Sequence, residues 1–119
     1  MASVCTGAFL LAEAGVLDGL RATTHWAAVE ELGRWGAVPV RERVVWEGKY
    51  VTAAGVSAGI DMALALAERL AGLQAAQLVQ LATEYDPCPP FDAGSVESAP
   101  AGVVALARSY SRFLWGERG

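Results

Sequence analysis

Apolar positions along this chain fall in short blocks whose spacing switches between strand-like and helix-like. Ala2 to Val4 reads as a strand end, and the run from about Thr6 to Ala14 as a helix closed by Gly15. Val16 to Gly19 is a turn, and Arg21 to His25 a short strand. The spacing then predicts a helix over Trp26 to Trp35, with Trp26, Val29, Leu32 and Trp35 on one side and Gly36 as its end. Val38 to Val40 and Val44 to Trp46 are β-rich, and Glu47-Gly48-Lys49 turns the chain into Tyr50 to Ala53. Ser57 is the expected N-cap of a helix running to about Ala71, with Ile60, Leu64, Ala67 and Leu70 sharing a face. Gly72 separates it from a further helix, Leu73 to Thr83. Pro87, Pro89 and Pro90 exclude regular structure from Glu84 to Ser95, which reads as a pinned, extended segment. Pro100 opens the last helix, to about Leu114, with Val103, Leu106, Tyr110, Phe113 and Leu114 as its expected buried side.

Strands alternating with helices predict an α/β fold, a mostly parallel sheet with helices on both faces. At 119 residues the chain is expected to be a single domain. It is 54% hydrophobic, with mean hydropathy +0.33, so either tight alanine-rich packing or an uncovered apolar surface is expected. The net charge of −4, with eight Arg and a single Lys, offers no basic patch and argues against nucleic-acid binding. Glu13, Asp61 and Arg69 interrupt the apolar runs too soon for a membrane span, and no basic segment marks a secretory signal. Cys5 and Cys88 make neither a disulfide framework nor a zinc site, so a reduced, cytoplasmic, soluble protein is expected. No metal or organic cofactor is implied.

The chemistry concentrates at the start. A strand end, one cysteine, then Thr6-Gly7 and a helix is the pattern of a nucleophile elbow, in which a tight strand-to-helix turn lifts the reactive side chain clear of the sheet. Small neighbours such as Ser3 and Gly7 are needed because that turn forces the nucleophile's backbone into a sparsely populated region. The following helix directs free N–H groups and its positive end at the sulfur, which favours the nucleophilic thiolate. The plainer alternative is a small buried cysteine.

Four segments in this order, Cys5-Thr6-Gly7-Ala8, Ala22-Thr23-Thr24-His25-Trp26, Ala54-Gly55-Val56-Ser57-Ala58-Gly59-Ile60-Asp61 and the Pro-rich Glu84 to Ser95, resemble the DJ-1/PfpI superfamily, and most of all its isonitrile hydratase branch. The first three also look like the sensor domains of a group of AraC-type regulators. The resemblance implies a partial flavodoxin-like three-layer sandwich. It covers only the family's C-terminal half, so the chain is expected to be truncated, mis-started or one part of a split protein. It further implies Cys5 as the nucleophile that attacks an isonitrile carbon. Thr6 would supply an oxyanion-hole N–H and a hydroxyl active in catalysis, or be an ordinary first-turn threonine. His25 would lie near the thiol to stabilise it or move a proton, or be a structural histidine at a strand end. Gly7, Trp26, Gly55 and Ser57 would line the substrate pocket, Ser57 with N-capping as its other use. Cys88 reads as incidental. The Pro-rich strap would belong to a homodimer interface, since family members are commonly dimers.

Three functions are therefore in competition. They are an isonitrile hydratase-like enzyme acting on a small molecule, impaired or inactive as this chain alone; a non-catalytic sensor domain; and a fragment that folds by pairing with its missing N-terminal half through an exposed sheet edge.

Overall fold

In a computed structural model the backbone is described for residues 1–115 and the side chains for residues 1–111. The chain divides after Tyr85 into two compact units.

The first unit is built on a three-stranded sheet. Strand β1 (Ala2–Val4) runs parallel to β5 (Tyr50–Ala53), and β4 (Val44–Glu47) pairs antiparallel with β5, giving the order β1-β5-β4. The Glu47-Gly48-Lys49 turn makes β4 and β5 the hairpin that the sequence predicts, with Gly48 in a left-handed conformation. A second, two-stranded parallel sheet pairs β2 (Arg21–Ala22) with β3 (Val38–Pro39). Helix α1 (Ala8–Glu13) follows a 3-10 turn over Cys5–Gly7 rather than starting at Thr6. The segment after His25 also differs from expectation: it is 3-10 helix over Val29–Trp35, ending at Gly36 with φ +77°. A Cβ on Gly36 would lie 2.1 Å from Asp18 Oδ1, so only glycine fits this stop. Val29 and Leu32 are buried as predicted.

Two apolar clusters hold the unit together. One gathers Ala8 and Ala12 of α1 with Leu17, Ala22, Leu32 and Ala37, flanked by Phe9 and Trp35. The other packs α2 (Val56–Ala71) on one face of the sheet, Ala58 and Met62 lying against Val4, Val51 and Ala53. Thr52 points to the opposite face, where its Oγ1 accepts the Thr23 N–H at 2.9 Å. Helix α3 (Leu73–Ala82) packs beside α2.

The expected apolar stripe of α2 is not its buried side. Ile60 is 44% and Leu70 79% exposed, whereas Ala58 and Met62 are buried, because the helix meets the sheet through its smallest residues. Gly59 makes this approach possible: a Cβ there would fall 2.7 Å from Cγ1 of Val4. Ser57 is not the N-cap either. Gly55 holds that position in an extended conformation and no side chain caps the helix.

In the second unit, the Pro-rich segment has no regular structure, and α4 (Ala101–Trp115) begins just after Pro100. Val103, Leu106 and Tyr110, expected as its buried side, are 51–61% exposed. A short helix in so small a unit has little of its own to pack against. The side chains of Phe113, Leu114 and Trp115 lie outside the described residues.

Gly59→Ala is expected to destabilise the chain by about 1–3 kcal/mol through overpacking against the stiff Val4 side chain. Helix propensity alone would stabilise the same change by up to about 1 kcal/mol, so the sign of the effect in urea unfolding decides. A smaller loss in a Val4→Ala background locates the clash.

Candidate active site

Strand β1 ends at Cys5, whose φ of +55° is left-handed, a conformation shared among non-glycine residues described only by Glu84. For a side chain larger than glycine this costs on the order of 1–3 kcal/mol and persists only where neighbours enforce it. The enforcing neighbour is Thr24: its buried hydroxyl donates to the Cys5 carbonyl at 2.5 Å. Thr23 in turn is bolted to β5 through Thr52. The end of β2 is thereby fixed to the turn that carries the thiol. Cys5, Thr6 and Gly7 form the 3-10 turn, and each is half-buried, so the turn is accessible without being loose.

The same anchor delivers His25. A Cβ placed on Gly55, at the end of β5, would stand 4.0 Å from the ring's Cδ2, so the imidazole lies over the C-terminal edge of the sheet. That edge is where open α/β sheets bind ligands. The Ala27 N–H donates to Nδ1 at 3.3 Å, which assigns the neutral tautomer with its proton on Nε2. Burial lowers the His25 pKa from its ordinary 6.5 and keeps the ring neutral near pH 7. Trp26 tilts against it, with ring centroids 5.6 Å apart.

The structure thus brings Cys5, Thr6 and Gly7 together with His25, Trp26 and Gly55. Ser57 is exposed, and its Oγ accepts from Arg43 Nη2 at 3.3 Å. Arg43 also donates to Asp61, and the Tyr85 hydroxyl donates to the other Asp61 oxygen at 2.6 Å. Burial alone would raise the Asp61 pKa, but the hydrogen bonds from Tyr85 and Arg43 outweigh it and hold the carboxyl below its ordinary value. Thr24 and Arg43 escaped the sequence reading. Thr24 left a signal, a second buried-strand threonine directly before the histidine, whereas Arg43 looked like any loop arginine. Among the described residues no cluster of three or more His, Cys, Asp or Glu side chains could hold a metal ion, and no helix is long and apolar enough to cross a membrane.

Comparison with known proteins agrees with this geometry. The DJ-1/PfpI family profile matches residues 1–69. Isonitrile hydratase from Pseudomonas putida is 56% identical over 106 residues, covering 89% of this chain and 46% of that protein. The HTH-type transcriptional regulator CdhR from Pseudomonas aeruginosa is 36% identical over 87 residues, 71% of this chain and 25% of that one. The crystal structure of a ThiJ/PfpI family protein from Pseudomonas syringae superimposes with a TM-score of 0.91 at 41% identity, covering 94% of this chain and 46% of that chain. The chain spans less than half the length of these relatives, and the part it shares carries their partial flavodoxin-like α/β sandwich.

Two outcomes follow for the anchor and the ring. Thr24→Val, which keeps the shape but strands the Cys5 carbonyl, is expected to cost about 1–3 kcal/mol in denaturant unfolding, and Thr24→Ser to recover most of it. For His25 the folded pKa is lowered, so below pH 6.5 the unfolded chain binds a proton that the folded chain resists. Stability therefore falls as pH drops from 6.5 through the lowered folded value, and rises in the other direction. His25→Gln should flatten this slope between about pH 7 and 5.5, above the carboxylate range; an unchanged slope would show that His25 is not its source.

Proposed function

The chain belongs to the DJ-1/PfpI family, and we propose that it is the cysteine-bearing part of an isonitrile hydratase-like enzyme, a hydro-lyase. The observation that carries this reading is the 56% identity to the P. putida isonitrile hydratase over a segment that includes the strained, anchored Cys5 turn.

In the proposed reaction the Cys5 thiolate attacks the isonitrile carbon. A carbon–sulfur bond forms, the adduct takes up one proton, and a thioimidate results. Water then adds across its carbon–nitrogen double bond, the carbon–sulfur bond breaks, an N-substituted formamide leaves and the thiolate is restored. The balance is one isonitrile and one water to one formamide. His25, neutral with its proton on Nε2, is suited to give the first proton and recover one from the attacking water. The Thr6 N–H faces charge developing beside Cys5, and its hydroxyl adds a second donor. Gly7, Trp26 and Gly55 form the surroundings of the substrate. Ser57 contributes at one remove, as the hydroxyl on which Arg43 rests.

A thiol nucleophile requires a reducing compartment, which favours a cytoplasmic setting with Cys5 and Cys88 free. The partners under this reading are a small-molecule substrate and either a second copy or the remainder of the family fold, with no nucleic acid and no membrane. A sensor domain is the second reading, supported by the 36% identity to CdhR. It predicts ligand binding without turnover.

The test is loss of an alkyl isonitrile and appearance of its formamide, followed by NMR. The 119-residue chain is assayed together with the remainder of the P. putida relative. Cys5→Ser is expected to fall to the uncatalysed rate, and His25→Gln to lose ~10²-fold in kcat. Turnover by Cys5→Ser at the wild-type rate would overturn the nucleophile assignment.

A further inference from the structure

Strand β1 has one finished side and one open side. It pairs with β5 in the register Ala2 to Val51, Ser3 to Thr52 and Val4 to Ala53, and the Met1 carbonyl accepts the Val51 N–H at 2.9 Å. In a parallel pair alternate residues direct both backbone groups to the same neighbour. Ala2 and Val4 therefore turn theirs to the other side, where the order β1-β5-β4 ends.

Both faces of this edge are unfinished. On the α2 face, Val4 lines an open apolar groove with Val56, Ile60, Leu64 and Val79. Val56 is 78%, Val79 47% and Ile60 44% exposed. On the opposite face, Ser3 is only 8% exposed, and its Oγ is the one buried side-chain polar atom among the described residues without a hydrogen-bond partner. Orphaned buried hydroxyls of this kind are uncommon and call for a partner.

We propose that the β1 edge and its groove are a docking surface for the portion of the family fold that these 119 residues do not contain. A strand of that portion pairs with Ala2 and Val4, its apolar side chains fill the groove, and a polar group satisfies Ser3 Oγ. This deepens the partner reading given above and rests on it. The occupant follows from proportion: nearly all of this chain superimposes on less than half of the P. syringae relative. The rest of such a fold needs apolar surface to pack on, and this groove is the one continuous with an open strand edge. A second copy fits less well, because a two-fold contact would set groove against groove.

The probe is the part of the P. putida isonitrile hydratase outside its match to this chain, expressed separately and mixed with the full 119-residue chain. Sedimentation is expected to show a one-to-one complex, and hydrogen exchange to slow at the Val4 amide. Val56→Asp puts a charge in the groove at an exposed first helical residue, where an acid suits the helix, so the free chain stays folded by circular dichroism. It is expected to weaken the complex about tenfold or more, while Leu78→Asp, exposed on α3 and outside the groove, leaves it unchanged. No complex, a complex indifferent to Val56→Asp, or a homodimer that Val56→Asp dissolves would each overturn the proposal. Formamide production is measured separately: an inactive complex would count against the hydratase reading and leave the docking surface standing.

Discussion

The hydrogen bond from Thr24 to the Cys5 carbonyl is the constraint on which the site depends. A cysteine at φ +55° is in a conformation that an unconstrained chain leaves. What keeps it there is a buried hydroxyl on a strand that is itself tied to the sheet through Thr23 and Thr52. Because His25 follows Thr24 directly, one short stretch of chain both strains the thiol-bearing turn and sets the imidazole beside Gly55. Backbone strain and a proton-transferring group share one support.

The sheet under that turn is held from the α2 side by close approach rather than by bulk. Gly59 lets the helix backbone ride over Val4, and Ala58 and Met62 fill the remaining space. A polar network fixes the helix's first turns: Arg43 reaches Ser57 and Asp61, and Tyr85 closes on Asp61 just before the chain leaves the unit. The Arg69 guanidinium lies 3.4 Å above the Trp46 ring at the helix's other end. Together these set where β5 stops and Gly55 begins, which is one wall of the site.

Much of this was legible in the sequence because it is local. The Cys5-Thr6-Gly7 pattern announces a strand-to-helix turn, Gly15, Gly36 and Gly72 punctuate the helices, and Glu47-Gly48-Lys49 closes the hairpin. What periodicity misread depends on tertiary partners. Ser57 has the chemistry of an N-cap, yet its hydroxyl receives Arg43 from a neighbouring strand end. Ile60 and Leu70 have the spacing of a buried stripe, but the sheet is met by Ala58 and Gly59, whose smallness carries no hydrophobic signal. The 3-10 geometry at Cys5–Gly7 and Val29–Trp35 was likewise hidden, since apolar residues three apart suit either kind of helix.

The central claim is that the fold makes Cys5 a nucleophile, and the most direct test compares the two cysteines within one molecule. The folded chain is exposed to a limiting amount of iodoacetamide at neutral pH, and the modified peptides are counted by mass spectrometry. Cys88 is exposed and serves as the internal reference, whereas Cys5 is half-buried. Access alone would therefore make Cys5 the slower of the two. The account predicts that Cys5 reacts faster, and that its advantage vanishes when the chain is unfolded in urea. A Cys5 that reacts no faster than Cys88 in the folded chain would contradict it.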